Sequence, residues 1–144
     1  MRFIITAQPG KNSTQPDPNA PFDEELFSAY MRFNEEMHQA GILVASEGLK
    51  PGGDVARIEV AKGKRSVVDG PFTESKELVG GFYIIEVASP EEAIEWALRC
   101  PTGLGFDDVL EIRALTGEAD VPPRVRELVQ AAAPTWSASF WKDR

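Results

Sequence analysis

The period of the hydrophobic residues switches along this chain between two and about 3.6, and the order of the switches leaves few architectures open. Phe3-Ile4-Ile5, with Thr6 and Ala7, reads as a buried first strand, and Gln8 to Pro21 reads as a long loop because four prolines sit among Asn, Ser, Asp and Gly. From Asp23 the spacing becomes helical. Leu26, Tyr30, Phe33 and Met37 fall at steps of four and three, lining one face, while Glu25, Arg32, Glu35 and Glu36 take the other. Asp23 or Asn19 can cap the start, and Gly41 suits the position just past the end. Ile42-Leu43-Val44-Ala45 returns to strand character.

Val55 to Val60 alternates Ala56, Ile58 and Val60 against Arg57 and Glu59, which predicts a half-buried strand. Lys62-Gly63-Lys64 is a hairpin tip leading to Ser66–Val68, and Phe82–Val87 is the next strand. Ser89, Pro90 and Glu92 occupy N-cap, N1 and N3 of a second helix, which is predicted to bury Ala93, Ile94, Ala97 and Leu98 and to end at Cys100-Pro101. Val109 to Leu115 alternates again as a last core strand. This succession is that of an α+β ferredoxin-like sandwich, an antiparallel sheet with two helices on one face and an apolar, uncovered second face.

Two units are expected: a domain over residues 1–116 and a C-terminal extension over 117–144. The extension is predicted to form a helix from Pro122-Pro123 that buries Val125, Leu128, Val129 and Ala132, followed by an aromatic tail, Pro134–Trp141. Exposed aromatics at a terminus call for a docking place. Trp136 and Trp141 are therefore expected on a partner protomer or over the mouth of a pocket.

Charge narrows the function. Fifteen basic against 23 acidic residues give a net charge of −8, which disfavours direct binding to nucleic acid or to an anionic membrane. No apolar stretch approaches the length that spans a bilayer, and Met1-Arg2-Phe3 runs straight into a strand, so a cytoplasmic protein is expected. A single cysteine, Cys100, fits a reducing compartment and is expected as a buried structural thiol. With one histidine, His38, at a helix end, one cysteine and scattered carboxylates, neither a metal site nor a cofactor is expected.

The stretch Ser66 to Val87 holds the candidate chemistry. Two strand-like runs bracket Asp69-Gly70-Pro71-Phe72 and then Glu74, Lys76 and Glu77. Asp-Gly-Pro is turn punctuation, since Gly70 tolerates positive φ, Pro71 fixes φ, and Asp69 can accept from backbone amides. If this loop folds over a pocket, Asp69 and Glu74 become candidate acid–base groups with Lys76 between them, and Gly70, Pro71, Phe72 and Glu77 join Asp69 as candidate ligand contacts. The alternative is a turn capped by Asp69 followed by a solvated, self-paired charged segment. Gly80-Gly81 lacks the spacing of a phosphate loop and is read as permitting close strand approach.

Asp69-Gly70-Pro71-Phe72, Thr73-Glu74-Ser75-Lys76-Glu77 and Gly80-Gly81-Phe82-Tyr83 together resemble the signature of the DGPF branch of the YCII-related domain family, over roughly residues 1–116. The resemblance implies that two protomers cover the open sheet face as a dimeric α+β barrel, hence a homodimer. In the better-studied branch, a histidine in the first helix and an aspartate after the second are thought to form an acid–base pair. Here Tyr30 or Met31 takes the histidine's place and Cys100 the aspartate's, so that pair is not carried over, and Tyr30 and Cys100 enter as candidate ligand contacts. Relatives include lyase- or dehalogenase-like proteins. On that likeness the chain binds a small polar metabolite in a pocket gated by the DGPF loop, with Asp69 or Glu74 as base and Lys76 as electrostatic stabiliser. The resemblance also implies an alternative, a regulatory module that contacts a sigma factor in transcription initiation.

Overall fold

In order along the chain come β1 (Arg2–Pro9), α1 (Glu24–Gln39), β2 (Leu43–Gly48), β3 (Ala56–Ala61), β4 (Lys64–Asp69), β5 (Gly81–Glu86), α2 (Pro90–Leu98), β6 (Asp108–Ala114), α3 (Pro123–Ala132) and α4 (Pro134–Lys142). The computed structural model describes residues 1–11, 19–49, 56–70, 80–101 and 108–142. Four strands form one sheet in the order β2-β5-β1-β6, all neighbours antiparallel. With the β3–β4 hairpin set aside, this is the order of an α+β ferredoxin-like sandwich.

The two helices on the sheet, α1 and α2, start where the sequence says they should. Asp23 caps α1 by accepting from the Leu26 amide at 2.9 Å, and Gly41 closes it at φ +72°. Ser89 caps α2 by accepting from the Glu92 amide at 3.2 Å, while Glu92 reaches back to the Ala88 amide at 2.8 Å, one residue earlier than an ideal capping box. Between helices and sheet lies the core: Phe3 and Ile5 from β1, Tyr83 and Ile85 from β5, Phe33 and Met37 from α1, Ala93 and Ala97 from α2, with Ile42, Val87 and Cys100. Leu26 and Tyr30, the other two residues of the α1 stripe, are half-buried.

Three expectations of burial fail. In α2 only Ala93 and Ala97 are buried; Ile94 and Leu98 face solvent, and Trp96 packs against the core instead, at 6.3 Å from the Phe33 ring. The stripe on this short helix is narrow because two alanines let it lie close to the sheet. The alternation in β3 does not mark a half-buried strand, because β3 and β4 form a separate two-stranded sheet in which Ile58 and Val67 are 67% and 68% exposed. Period-two alternation fixes which residues share a face, but not whether anything packs on that face. Likewise α3 forms over Pro123–Ala132 but buries nothing: Val125, Leu128 and Ala132 are exposed and Val129 is half-buried. Its main contact is α4, into which the expected aromatic tail folds. Trp136 on α4 is exposed.

The β3–β4 turn does follow its sequence. Lys62 and Gly63 both have positive φ, +49° and +74°, the pattern of a tight two-residue hairpin turn.

Candidate functional site

At one end of the sandwich the seam between α1 and the sheet opens into a cavity of about 420 Å³. Local structure explains why it lies there. The strand ends contribute little side-chain volume, with Ala7, Gly48, Gly80 and Gly81 all on the wall. Gly81 sits so close to β2 that a Cβ on it would lie 2.9 Å from the Glu47 carbonyl oxygen, which agrees with reading Gly80-Gly81 as a close approach of strands. Gly80 ties two strands together, its amide donating to the Ala7 carbonyl at 2.9 Å and its carbonyl accepting from the Leu49 amide at 3.0 Å.

A register shift in β2 between Leu43 and Ala45 also shapes the wall. A bulge reverses the alternation locally. Leu43 therefore packs on the core while Ser46, opposite Tyr83, faces α1 and donates from its Oγ to Asn34 Oδ1 at 3.2 Å. Nothing in the apolar pattern of residues 42–48 announced the bulge.

Chemistry converges on this wall from four elements. Tyr30 and Phe27 come from α1, Tyr83 from β5, Cys100 from the end of α2 and Asp108 from the start of β6. Tyr83 is braced edge-on by Phe33, with ring centroids 5.6 Å apart. Burial pushes the Tyr30 phenol up to about 12, and the neighbouring Cys100 and Asp108 add to the rise. Burial raises Tyr83 as well, with further contributions from Cys100, from Tyr30 and from a side-chain hydrogen bond with Cys100. Both phenols are therefore neutral at physiological pH.

Tyr30 and Cys100, far apart in sequence, thus border one cavity, and Cys100 is at once buried and part of its wall. Asp69 is exposed at the end of β4 and is not among the residues that border the cavity; nor is Gly70. Pro71, Phe72, Glu74, Lys76 and Glu77 lie outside the described residues. His38 is exposed in the last turn of α1, away from the cavity. Glu111 and Arg113 pair with each other on the surface of β6 at 3.7 Å. Sequence reasoning missed Tyr83 and Asp108. Tyr83 was visible as a strand residue and as the end of the family signature, but not as a site residue, and its register opposite Ile5 on β1 is what points it at the helices.

The family model of the YCII-related domain matches residues 1–116. The chain belongs to the YCII-related domain family. It is also similar to an uncharacterized protein of Rhizobium meliloti (strain 1021), 35% identical over 75 residues, a match that spans 52% of this chain and 60% of that relative. Among solved structures it is similar to 5-chloro-2-hydroxyhydroquinone dehydrochlorinase from Burkholderia phenoliruptrix AC1100 in complex with 2,5-dihydroxybenzoquinone. That likeness has a TM-score of 0.41 and 18% identity, covering 84% of this chain and all of that one. Among the described residues no helix is long and apolar enough to cross a membrane.

Proposed function

We propose that this YCII-related protein binds a small molecule in the cavity between α1 and the sheet, with the Tyr30 and Tyr83 phenols as neutral hydrogen-bond donors to its polar edge. The observation that carries the reading is the convergence of Tyr30, Tyr83, Cys100 and Asp108 on one cavity of about 420 Å³. Small-molecule sites are concave and mostly apolar, with a few polar groups that orient the ligand, and this wall has that make-up. A phenol whose pKa lies near 12 cannot act as a base at neutral pH but can donate to an oxygen that gains charge, so acid-side catalysis is open to it. The DGPF loop, with Asp69, Glu74 and Lys76 as acid–base candidates, enters this reading as the gate, because the strand it precedes begins at the cavity wall with Gly81.

The test is a thermal-shift screen of the protein against a metabolite library, repeated with Tyr30→Phe. A ligand that binds the native state raises the apparent melting temperature by mass action. Removal of one neutral donor should weaken a hit roughly five- to tenfold. A hit indifferent to Tyr30→Phe and to Cys100→Ser would move the site away from this cavity.

We further propose a homodimer. Its support is apolar surface that the described residues leave open or only half-cover. Ile4, Phe82, Ile84 and Val109 share the sheet face opposite the helices, and Val125 and Leu128 are exposed on α3. The same exposed surface favours the alternative reading, a regulatory module that docks on a protein such as a sigma factor. Sedimentation of the purified chain separates them: a monomer at micromolar concentration leaves only the second.

A further inference from the structure

The β3–β4 hairpin is a two-stranded sheet of its own, and no other described element packs extensively on it. Its register sorts the side chains. Ile58 lies opposite Val67 and Val60 opposite Arg65, so Ile58, Val60, Val67 and Arg65 share one face. The three aliphatics of that face are each at least 64% exposed. A lone hairpin is marginally stable in water, and an apolar face of this kind is stabilised by a surface that covers it.

Charge indicates what that surface is like. Residues 56–69 hold four basic and two acidic side chains, in a chain with 15 basic and 23 acidic ones. Lys62, Lys64 and Arg65 crowd the tip of the hairpin, and none of them joins an ion pair among the described residues. The hairpin is thus a basic, apolar arm on an acidic protein.

A surface of the opposite make-up stands on α2. Glu91, Ile94, Glu95 and Leu98 recur at helical spacing on its outer side, and all four are exposed, Leu98 at 81%. Ile94 and Leu98 are the large aliphatics of α2 that turn away from the core. Glu92 is engaged by the Ala88 amide, whereas Glu91 and Glu95 join no ion pair among the described residues. Both surfaces are exposed in the same chain, so neither covers the other within it.

We infer that the β3–β4 hairpin of one copy docks on the outer face of α2 of a second copy, with Ile58, Val60 and Val67 against Ile94 and Leu98, and Arg65 set toward Glu91 and Glu95. Exchanged reciprocally, the contact is made twice and closes as a two-fold pair. The aliphatic residues drive the association, and the charges fix its register and exclude mismatched surfaces. The inference rests on the homodimer reading and adds to it a contact apart from the open sheet face.

Sedimentation of the full chain across a concentration series tests it by charge exchange. Arg65→Glu and Glu95→Lys, each alone, should weaken self-association about tenfold, because each places like charges across the contact. Combined in one chain they restore opposite charges there, and association should return to within about threefold of the unaltered protein. Added salt should erode both the single-variant losses and the recovery. Single variants that associate like the unaltered chain, or losses that the combined change does not recover, overturn the inference while the homodimer reading stands on its sheet face. An unaltered chain that stays monomeric throughout the series overturns both.

Discussion

The two ends of the seam between α1 and the sheet are built from the same helix and the same strands, yet one is packed solid and the other is hollow. Where β1 begins, Phe3, Met37, Ile42, Ile85 and Val87 fill the space, and Met37 and Ile85 have no exposed surface at all. Where β1 ends, the facing positions are Ala7, Gly48, Gly80 and Gly81, and the aromatic side chains of α1 have nothing of equal volume opposite them. The helix continues its apolar stripe through both ends. What changes is the size of the strand residues it meets, so a cavity arises where an unbroken stripe crosses glycines.

The largest test of that contrast lies at the packed end. Ile85→Ala should lower unfolding free energy by about 2–5 kcal/mol in urea titration, because a fully buried aliphatic leaves a void. A loss below ~1 kcal/mol would mean this end is not packed as described. Gly81→Ala comes next, at about 1–3 kcal/mol: its Cβ would meet the Glu47 carbonyl oxygen at 2.9 Å, and β2 or β5 must shift to admit it. A neutral or stabilising result would show that the glycine serves no close approach.

Alkaline titration sharpens the hollow end, since the two tyrosines in the sequence both stand there. Tyr30 holds its proton in the folded state up to about 12 against 10.0 for an ordinary phenol, so the unfolded chain releases it first. The stability tied to that proton is fully present below pH 10 and is lost as pH rises from 10 toward 12. Tyrosinate absorbance should therefore lag behind that of the unfolded protein and appear together with unfolding. Tyrosinate formed at pH 10 in the folded chain would contradict it.

The smallest effect belongs to neither end. Leu128→Ser on exposed α3 should change the stability of the single chain by no more than about 0.5 kcal/mol. Under the homodimer proposal the same change weakens self-association if α3 is part of the interface, and sedimentation across a concentration series reads that directly.

Much of the fold was legible in the residues. Helix bounds followed from Asp23, Gly41, Ser89 and Pro90, and the six strands from β-branched runs between turn residues, because both are local signals. The candidate site was legible only in pieces. Tyr30 and Cys100 were named by family resemblance, without showing that they meet. Tyr83 appeared only within the family signature and Asp108 carried no local mark, and the stretch read as an aromatic tail became α4.

By itself, then, the sequence determined the elements, their order and the apolar faces of α1 and the central strands, since propensity, capping and periodicity act over a few residues. Tertiary structure decided which of those faces found a neighbour. It left β3, β4 and α3 exposed, used a bulge at Val44 to turn Ser46 inward, and brought Tyr30, Tyr83, Cys100 and Asp108 to one wall. Contacts between residues far apart in the chain depend on register and on the volume opposite, and neither quantity is written in a local stretch of sequence.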